Sequence, residues 1–292
     1  MKEQFNKGLL LTSLGSFWWG FIGVIYFQYV SFIGHIELVV HRCVWTVIML
    51  ILTTTFLSKW SIFIKNISNK KNLIALFFSG TLIFINWAVW IYAVATERII
   101  DASFGYFIMP IISVLLGFIF FKEKINRKRF ISILLVIISI IILVLFNLKN
   151  LPWVGLIVAL SWAFYNLVRK KINVDTDVGL LIESLFIFPF ALITFYLIAQ
   201  KGLNDFSLSS PAFSLFLILA GPMTVIPLFL YVRGVELIGL GPTGMIFYIT
   251  PTLQFILGYF YYNEEFSLVK FISFIIIWVA VIIYLKDLYE TN

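Results

Sequence analysis

PIISVLLGFIFFKEKINRKRFIS, Pro110–Ser132, and PTLQFILGYFYYNEEFSLVKFIS, Pro251–Ser273, are related by a shift of 141 positions. Pro110 falls on Pro251, Gly117 on Gly258, Glu123 on Glu264, and Phe130-Ile131-Ser132 on Phe271-Ile272-Ser273. A proline, a glycine and a glutamate kept at fixed spacing are not explained by apolar composition, so the chain reads as an internal repeat. The loops inside the two copies differ in sign. Lys122-Glu123-Lys124 and Arg127-Lys128-Arg129 stand where the second copy has Asn263-Glu264-Glu265 and Leu268-Val269-Lys270. A basic loop and an acidic counterpart are what opposite sides of a membrane require.

Working outward, 62% of the 292 residues are hydrophobic, 18% are aromatic and 12% are charged. A water-soluble domain of this length has no use for so much apolar surface. Runs of about 20 apolar residues, enough for roughly 30 Å of hydrocarbon, recur along the chain, and a barrel would show short alternating segments instead. The expectation is an all-α integral membrane protein with ten transmembrane helices near 8–30, 36–57, 73–95, 102–121, 130–147, 151–168, 178–199, 211–231, 240–262 and 267–286. Five helices per copy is an odd number, which turns the second copy over. The expected units are two inverted five-helix repeats, 1–148 and 149–292, in one compact membrane domain.

With both termini cytoplasmic, 16 of the lysines and arginines sort to the inner side and four to the outer side, leaving Arg42 inside a helix. That bias predicts a multi-pass inner-membrane protein, and it explains the net charge of +7 without nucleic acid. The apolar stretch after the basic N-terminus is too long and too aromatic for a signal-peptide core, so it is expected to be retained. Cys43 is the single cysteine, which excludes an internal disulfide and a thiolate metal cluster.

An ionisable group within hydrocarbon needs a cavity, a partner or a task. The second expected helix carries Glu37, His41 and Arg42, and the seventh carries Glu183. Arg42 and Glu183 are also 141 apart, so they are expected either to form an ion pair between the copies or to line a pathway. Glu37 lies near a helix end, where an interfacial and a functional reading both stand. His41 is open to two readings, a proton relay or a hydrogen-bonded packing residue. Pro110 and Pro251 near the middle of their helices each free a carbonyl, at Tyr106 and Phe247, and mark hinges or kinks. Asn86, Trp87, Trp90, Tyr106, Trp162, Tyr165, Asn166, Tyr248 and Gln254 complete a candidate cavity of aromatic walls with a few amides. Apparent enzyme motifs fail on context. Gly239-x-Gly241-x-x-Gly244 follows no soluble strand and contains Pro242, His35, Glu37 and His41 lack zinc-protease spacing, and there is no nucleophile elbow or phosphate loop.

Glu37-Leu-Val-Val-His41-Arg42-Cys-Val-Trp45, Asn86-Trp87, Asp101-Ala-Ser-Phe-Gly105-Tyr106-Phe-Ile-Met-Pro110, Phe164-Tyr165-Asn-Leu-Val-Arg169-Lys170-Lys171, Gly179-Leu-Leu-Ile-Glu183 and Tyr248-Ile-Thr-Pro251-Thr-Leu together resemble the RarD proteins, within the EamA-type branch of the drug/metabolite transporter superfamily. The resemblance spans nearly the whole chain in the same order. It implies a ten-helix inverted-repeat transporter with a cavity between the halves. The inverted repeat read from the residues points the same way, because secondary transporters rock two such halves about a midplane site. The expected function is alternating-access transport of a small polar or amphiphilic metabolite or drug, without catalysis or cofactor. The expected partners are that small-molecule substrate, protons or another coupling ion and membrane lipids, and the chain is expected to be a monomer or homodimer. Arg42 is the expected anchor for a substrate carboxylate or phosphate. A membrane receptor or assembly protein is the alternative, and it would call for a large partner-binding loop or tail.

Overall fold

The computed structural model describes residues 2–30, 32–95, 99–147, 153–206, 211–261 and 268–291. They form a helical bundle. The first helix, α1 (Lys2–Phe17), continues through a π-helical turn at Trp18–Ile22 into α2 (Gly23–Tyr29). Next come α3 (His35–Phe56), the short α4 (Trp60–Ile67), α5 (Lys70–Ala95), α6 (Ile99–Phe121) and α7 (Arg127–Asn147). The remaining helices are α8 (Trp153–Lys171), α9 (Thr176–Gln200), α10 (Pro211–Ile218), α11 (Ala220–Ile238), α12 (Leu240–Ile246), α13 (Ile249–Phe260) and α14 (Leu268–Thr291).

Among the described residues seven helices are long and apolar enough to cross a membrane, and Gly105–Phe121 is a shorter apolar helix. The other expected spans differ for local reasons. Helix α8 is diluted by Ser161, Asn166 and the cations Arg169, Lys170 and Lys171, and the expected ninth helix is divided between α12 and α13. No expected span covers α4, whose Ile62 and Phe63 pack beside Leu76 of α5 and Ile182 of α9. The outward faces carry large apolar residues such as Phe118, Leu145, Phe190 and Ile282, as a lipid-facing surface requires.

The two expected proline sites behave differently. Pro110 sits inside α6, which runs on through it. Pro251 lies in the first turn of α13, where a missing N–H costs nothing. The carbonyl it would have left free, on Phe247, accepts from the Thr250 N–H at 2.9 Å. The break between α11 and α12 is a glycine, Gly239, at φ +94°, a conformation that resists a side chain. There the Glu123 carboxylate accepts from the Leu240 N–H at 2.8 Å and the Gly241 N–H at 2.9 Å, filling two of the orphan donors at the start of α12. The Gly239-to-Gly244 run is thus the turn that opens this helix. Glu264 and Glu265, expected to mirror this loop, lie outside the described residues.

Helix packing comes in matched sets. Helix α1 lies on α11 and α5 on α8; α3 lies on α11 and α5 on α9; α7 lies on α14, α6 on α12 and α3 on α9. Ser132 of α7 donates to the Ala280 carbonyl of α14, and Ser139 donates to the Ser273 carbonyl at 2.9 Å. Such hydroxyl-to-backbone bonds suit a setting without competing water. Close approach is set by small residues. A Cβ on Gly80 would stand 3.0 Å from the Glu183 carbonyl, and one on Gly221 would stand 2.6 Å from that of Trp45.

Candidate functional site

The bundle's interior holds two polar layers at different depths, and α8 runs past both. The first is built around Arg42, which is 8% exposed. Its guanidinium carbon lies 5.0 Å from the centre of the Phe27 ring and 4.9 Å from that of Trp87, close enough for the ring faces to stabilise the cation. Its Nε donates to the Thr224 hydroxyl at 3.2 Å, and that hydroxyl donates in turn to the Ala220 carbonyl at 2.8 Å. The threonine is therefore held with a lone pair toward the arginine. Tyr26 and Tyr106 stand beside the same cation. Among the described side chains no carboxylate lies within ion-pair reach of Arg42.

An aromatic floor lies beside this layer. Trp19, on the π-helical turn, meets Trp162 edge-on at 5.1 Å and Tyr231 at 5.7 Å, while Phe247 lies 5.5 Å from Tyr231 and 5.8 Å from Tyr106. Trp90 extends the wall beyond Phe27, at 6.0 Å. One cation over a box of rings is chemically suited to an anion carried on a flat or apolar body.

The second layer lies further along α8, toward the end that carries Lys59, Lys170, Lys171 and Arg233. Its centre is Glu183, which is 1% exposed. One carboxylate oxygen accepts from the Ser79 hydroxyl of α5, and the other accepts from the Tyr165 hydroxyl of α8 at 3.2 Å. Arg169, with no exposure at all, pairs with Glu183 at 3.6 Å and with Glu236 of α11 at 3.8 Å, and donates to the Thr176 carbonyl at 3.2 Å. Gly179 makes room for it, since a Cβ there would collide with the guanidinium. Glu236 also takes the Thr176 hydroxyl at 2.8 Å and Arg233 at 2.7 Å, and its carbonyl accepts from Lys170 at 2.6 Å. Lys59 bridges Asp177 at 2.7 Å. Burial would lower the Lys59 ammonium, but the hydrogen bonds and charges of Asp177 and Asp175 outweigh it and hold it above the usual lysine value.

The expected pairing of Arg42 with Glu183 is corrected. Helices α3 and α9 run antiparallel, with Lys59 on Asp177 at one end and the His41 ring 5.4 Å from Phe195 toward the other. Glu183 lies 12 residues from Phe195, roughly 18 Å of helical rise. Equal offsets from the starts of antiparallel helices fall at opposite depths, so the two charges sit in different layers. Other expected cavity residues make hydrogen bonds within the bundle. The Asn86 amide donates to the Val158 carbonyl at 2.9 Å and the Ser161 hydroxyl at 3.1 Å, tying α5 to α8. The Tyr248 hydroxyl donates to the Phe107 carbonyl at 2.8 Å, and the Asn166 amide to the Trp162 carbonyl at 2.9 Å. Gln254 is half-buried on α13. The Trp45 N–H donates to His41 Nδ1 at 3.2 Å, so His41 Nε2 carries the proton and donates it to Glu37 at 3.3 Å. Glu37 also accepts from the backbone N–H groups of Asp205 at 2.7 Å and Phe206 at 3.3 Å, latching that loop onto α3.

Sequence reasoning missed Thr224, Tyr26, Phe27, Trp19 and Tyr231 in the first layer and Ser79, Arg169 and Glu236 in the second. Arg169 reads as one more cation at a helix end, and only the bulk-free Gly179 ten positions on hints that it turns inward.

The EamA-like transporter family matches the chain twice, over residues 6–145 and 152–286. The chain belongs to this family. Among relatives of this EamA-like chain, protein RarD of Escherichia coli strain K12 is 32% identical over 290 residues, covering 99% of this chain and 97% of its own length. The transporter YojE of Bacillus subtilis strain 168 is 33% identical over 282 residues, covering 96% and 93%. Protein RarD of Streptomyces exfoliatus is 27% identical over 290 residues, covering 99% and 91%. The chain is thus of the RarD type of drug/metabolite transporter, a multi-pass membrane transporter. One crystal structure superposes with a TM-score of 0.73 at 12% identity, covering 97% of this chain and 98% of its own, a likeness of fold alone.

Proposed function

We propose that the chain is a secondary transporter that moves a small organic anion, polar or amphiphilic, by alternating access across the inner membrane. Arg42 is the substrate anchor. The observation that carries this reading is a buried guanidinium, ringed by Phe27, Trp87, Tyr26 and Tyr106, with no carboxylate partner among the described side chains. A charge held so far from water needs compensation, and a transported carboxylate or phosphate supplies it.

Ten spans in two inverted units, near 1–148 and 149–292, with both termini cytosolic, is the architecture we infer. The two family matches support it, as do the matched helix contacts. Further support comes from the hydroxyl bonds of α7 and α14, because Ser132 with Ala280 and Ser139 with Ser273 exchange places under the 141-residue shift. Gly80 and Gly221 exchange in the same way, each admitting a helix of the other half. On this reading the basic end is cytosolic, and substrate reaches Arg42 from either side as the halves rock.

The test is counterflow of a labelled carboxylate in proteoliposomes. Arg42→Lys keeps the charge but loses the planar fork, so uptake should fall at least tenfold while detergent stability holds. Unchanged uptake kinetics would remove Arg42 from the site.

A further inference from the structure

We propose that Arg169, Glu183 and Glu236 form the gate that closes the cytosolic end of the transport path, and that this structure is held in its cytosol-closed state. The proposal rests on the alternating-access reading. Along one face of α8, Trp162 belongs to the aromatic floor, Tyr165 reaches Glu183, and Arg169 lies one turn beyond. Anything passing from Arg42 to the basic end along α8 must go through these layers in that order.

The second layer joins four helices through very few atoms. Glu183 brings α9, Ser79 brings α5, Tyr165 and Arg169 bring α8, and Glu236 brings α11. Of those four helices α5 belongs to the first half of the 141-residue repeat and α8, α9 and α11 to the second, so a rocking motion between halves breaks the Ser79–Glu183 contact and draws α5 away from the charged cluster. The Arg169–Glu183 approach of 3.6 Å is an ion pair too long for a hydrogen bond. Among the described residues Arg169 Nε and Nη1 have no hydrogen-bond acceptor although fully buried, a costly arrangement for a permanent strut. A gate needs this balance, with enough attraction to close and too few satisfied bonds to lock. Just outside it lies a cavity of about 340 Å³ lined by Lys170, Lys171, Asn173, Asp175, Arg233 and Glu236, a polar vestibule of net positive charge into which the opened gate would lead.

Thr46 supplies the reporter position. It is one turn from Arg42 on α3 toward the gate, buried, and its hydroxyl has no partner among the described residues. Thr46→Cys is labelled with a membrane-impermeant maleimide in inside-out and right-side-out vesicles, and the unaltered chain, whose only thiol is the buried Cys43, serves as the blank. Adding Glu183→Gln keeps the side-chain shape and removes the ion pair. It should raise labelling from the cytosolic face at least tenfold and lower labelling from the outer face. Tyr165→Phe and Ser79→Ala, each taking one hydroxyl from the carboxylate, should raise cytosolic labelling about threefold, and they carry the test if Glu183→Gln fails to fold. Cytosolic labelling unchanged in the variants that fold would overturn the gate. A cytosolic rise with undiminished outer labelling would keep the gate and instead sink alternating access.

Discussion

The Tyr248 hydroxyl donates at 2.8 Å to the carbonyl of Phe107, the residue 141 positions before it. The two residues that the sequence shift superposes are therefore bonded to each other, which is where an axis relating two copies would run. The bond is part-buried and joins the segment between α12 and α13 to α6, next to Phe247 of the aromatic floor. Tyr248→Phe deletes the donor and nothing else, so it should cost about 1 kcal/mol of stability. Thermal unfolding in detergent checks it, and an unchanged midpoint would show that the bond is spare.

Glu37 holds the Asp205–Phe206 loop against α3 through two backbone N–H groups. Glu37→Ala should free that loop. Hydrogen exchange at Asp205 and Phe206 should accelerate at least tenfold, with little change in α7 or α14, and equal protection in the variant would contradict the latch. Because His41 is pinned between Glu37 and Trp45, His41→Gln should impair packing rather than set a pH optimum.

Glu123 caps α12 at Gly239, Leu240 and Gly241, outside the membrane-spanning stretches. Glu123→Ala should cost about 1 to 2 kcal/mol, the range for loss of a helix cap. The loss should be visible as fraying of α12 in exchange measurements. Unaltered exchange at Leu240 and Gly241 would reject the cap.

Lys59 pins the end of α3 to the start of α9 through Asp177. Its folded-state pKa is raised, so the bridge's contribution is fully present below the ordinary lysine value, about 10.4. It is lost as pH rises through the higher folded value. Lys59 should therefore contribute a constant stabilisation between pH 6 and 9, and Lys59→Met should lower stability by the same amount throughout that range and flatten the alkaline limb of a denaturation profile. A change of slope near neutrality would contradict the assignment.

The membrane class, the helical content, the 141-residue shift and the intramembrane charges Arg42 and Glu183 were legible in the residues. Depth was not. The shift shows that Arg42 and Glu183 are counterparts, but in antiparallel helices counterparts lie toward opposite faces, so their shared offset argues against contact. Partner choice was hidden for a related reason. Arg169 ends a helix in a run of three cations and reads as a topology signal, while its burial depends on Gly179, Glu183 and Glu236 arriving from other helices. Thr224 carries no charge and stands among apolar neighbours, so nothing in its own segment marks it as the hydroxyl that positions Arg42. Helix breaks were legible only where glycine or proline enforces them: Gly239 stops α11, whereas Pro110 leaves α6 continuous.

The most direct test of the central claim is thermal unfolding of the purified protein and of Arg42→Ala against amino acids, phosphorylated metabolites, aromatic carboxylates and amines. An anion present at about a hundred times its dissociation constant should stabilise the unaltered chain by roughly 2.7 kcal/mol. The account predicts that the stabilising compounds are anions with an apolar body and that Arg42→Ala abolishes the shift. Stabilisation by an anion that persists undiminished in Arg42→Ala, or stabilisation by amines alone, would contradict it.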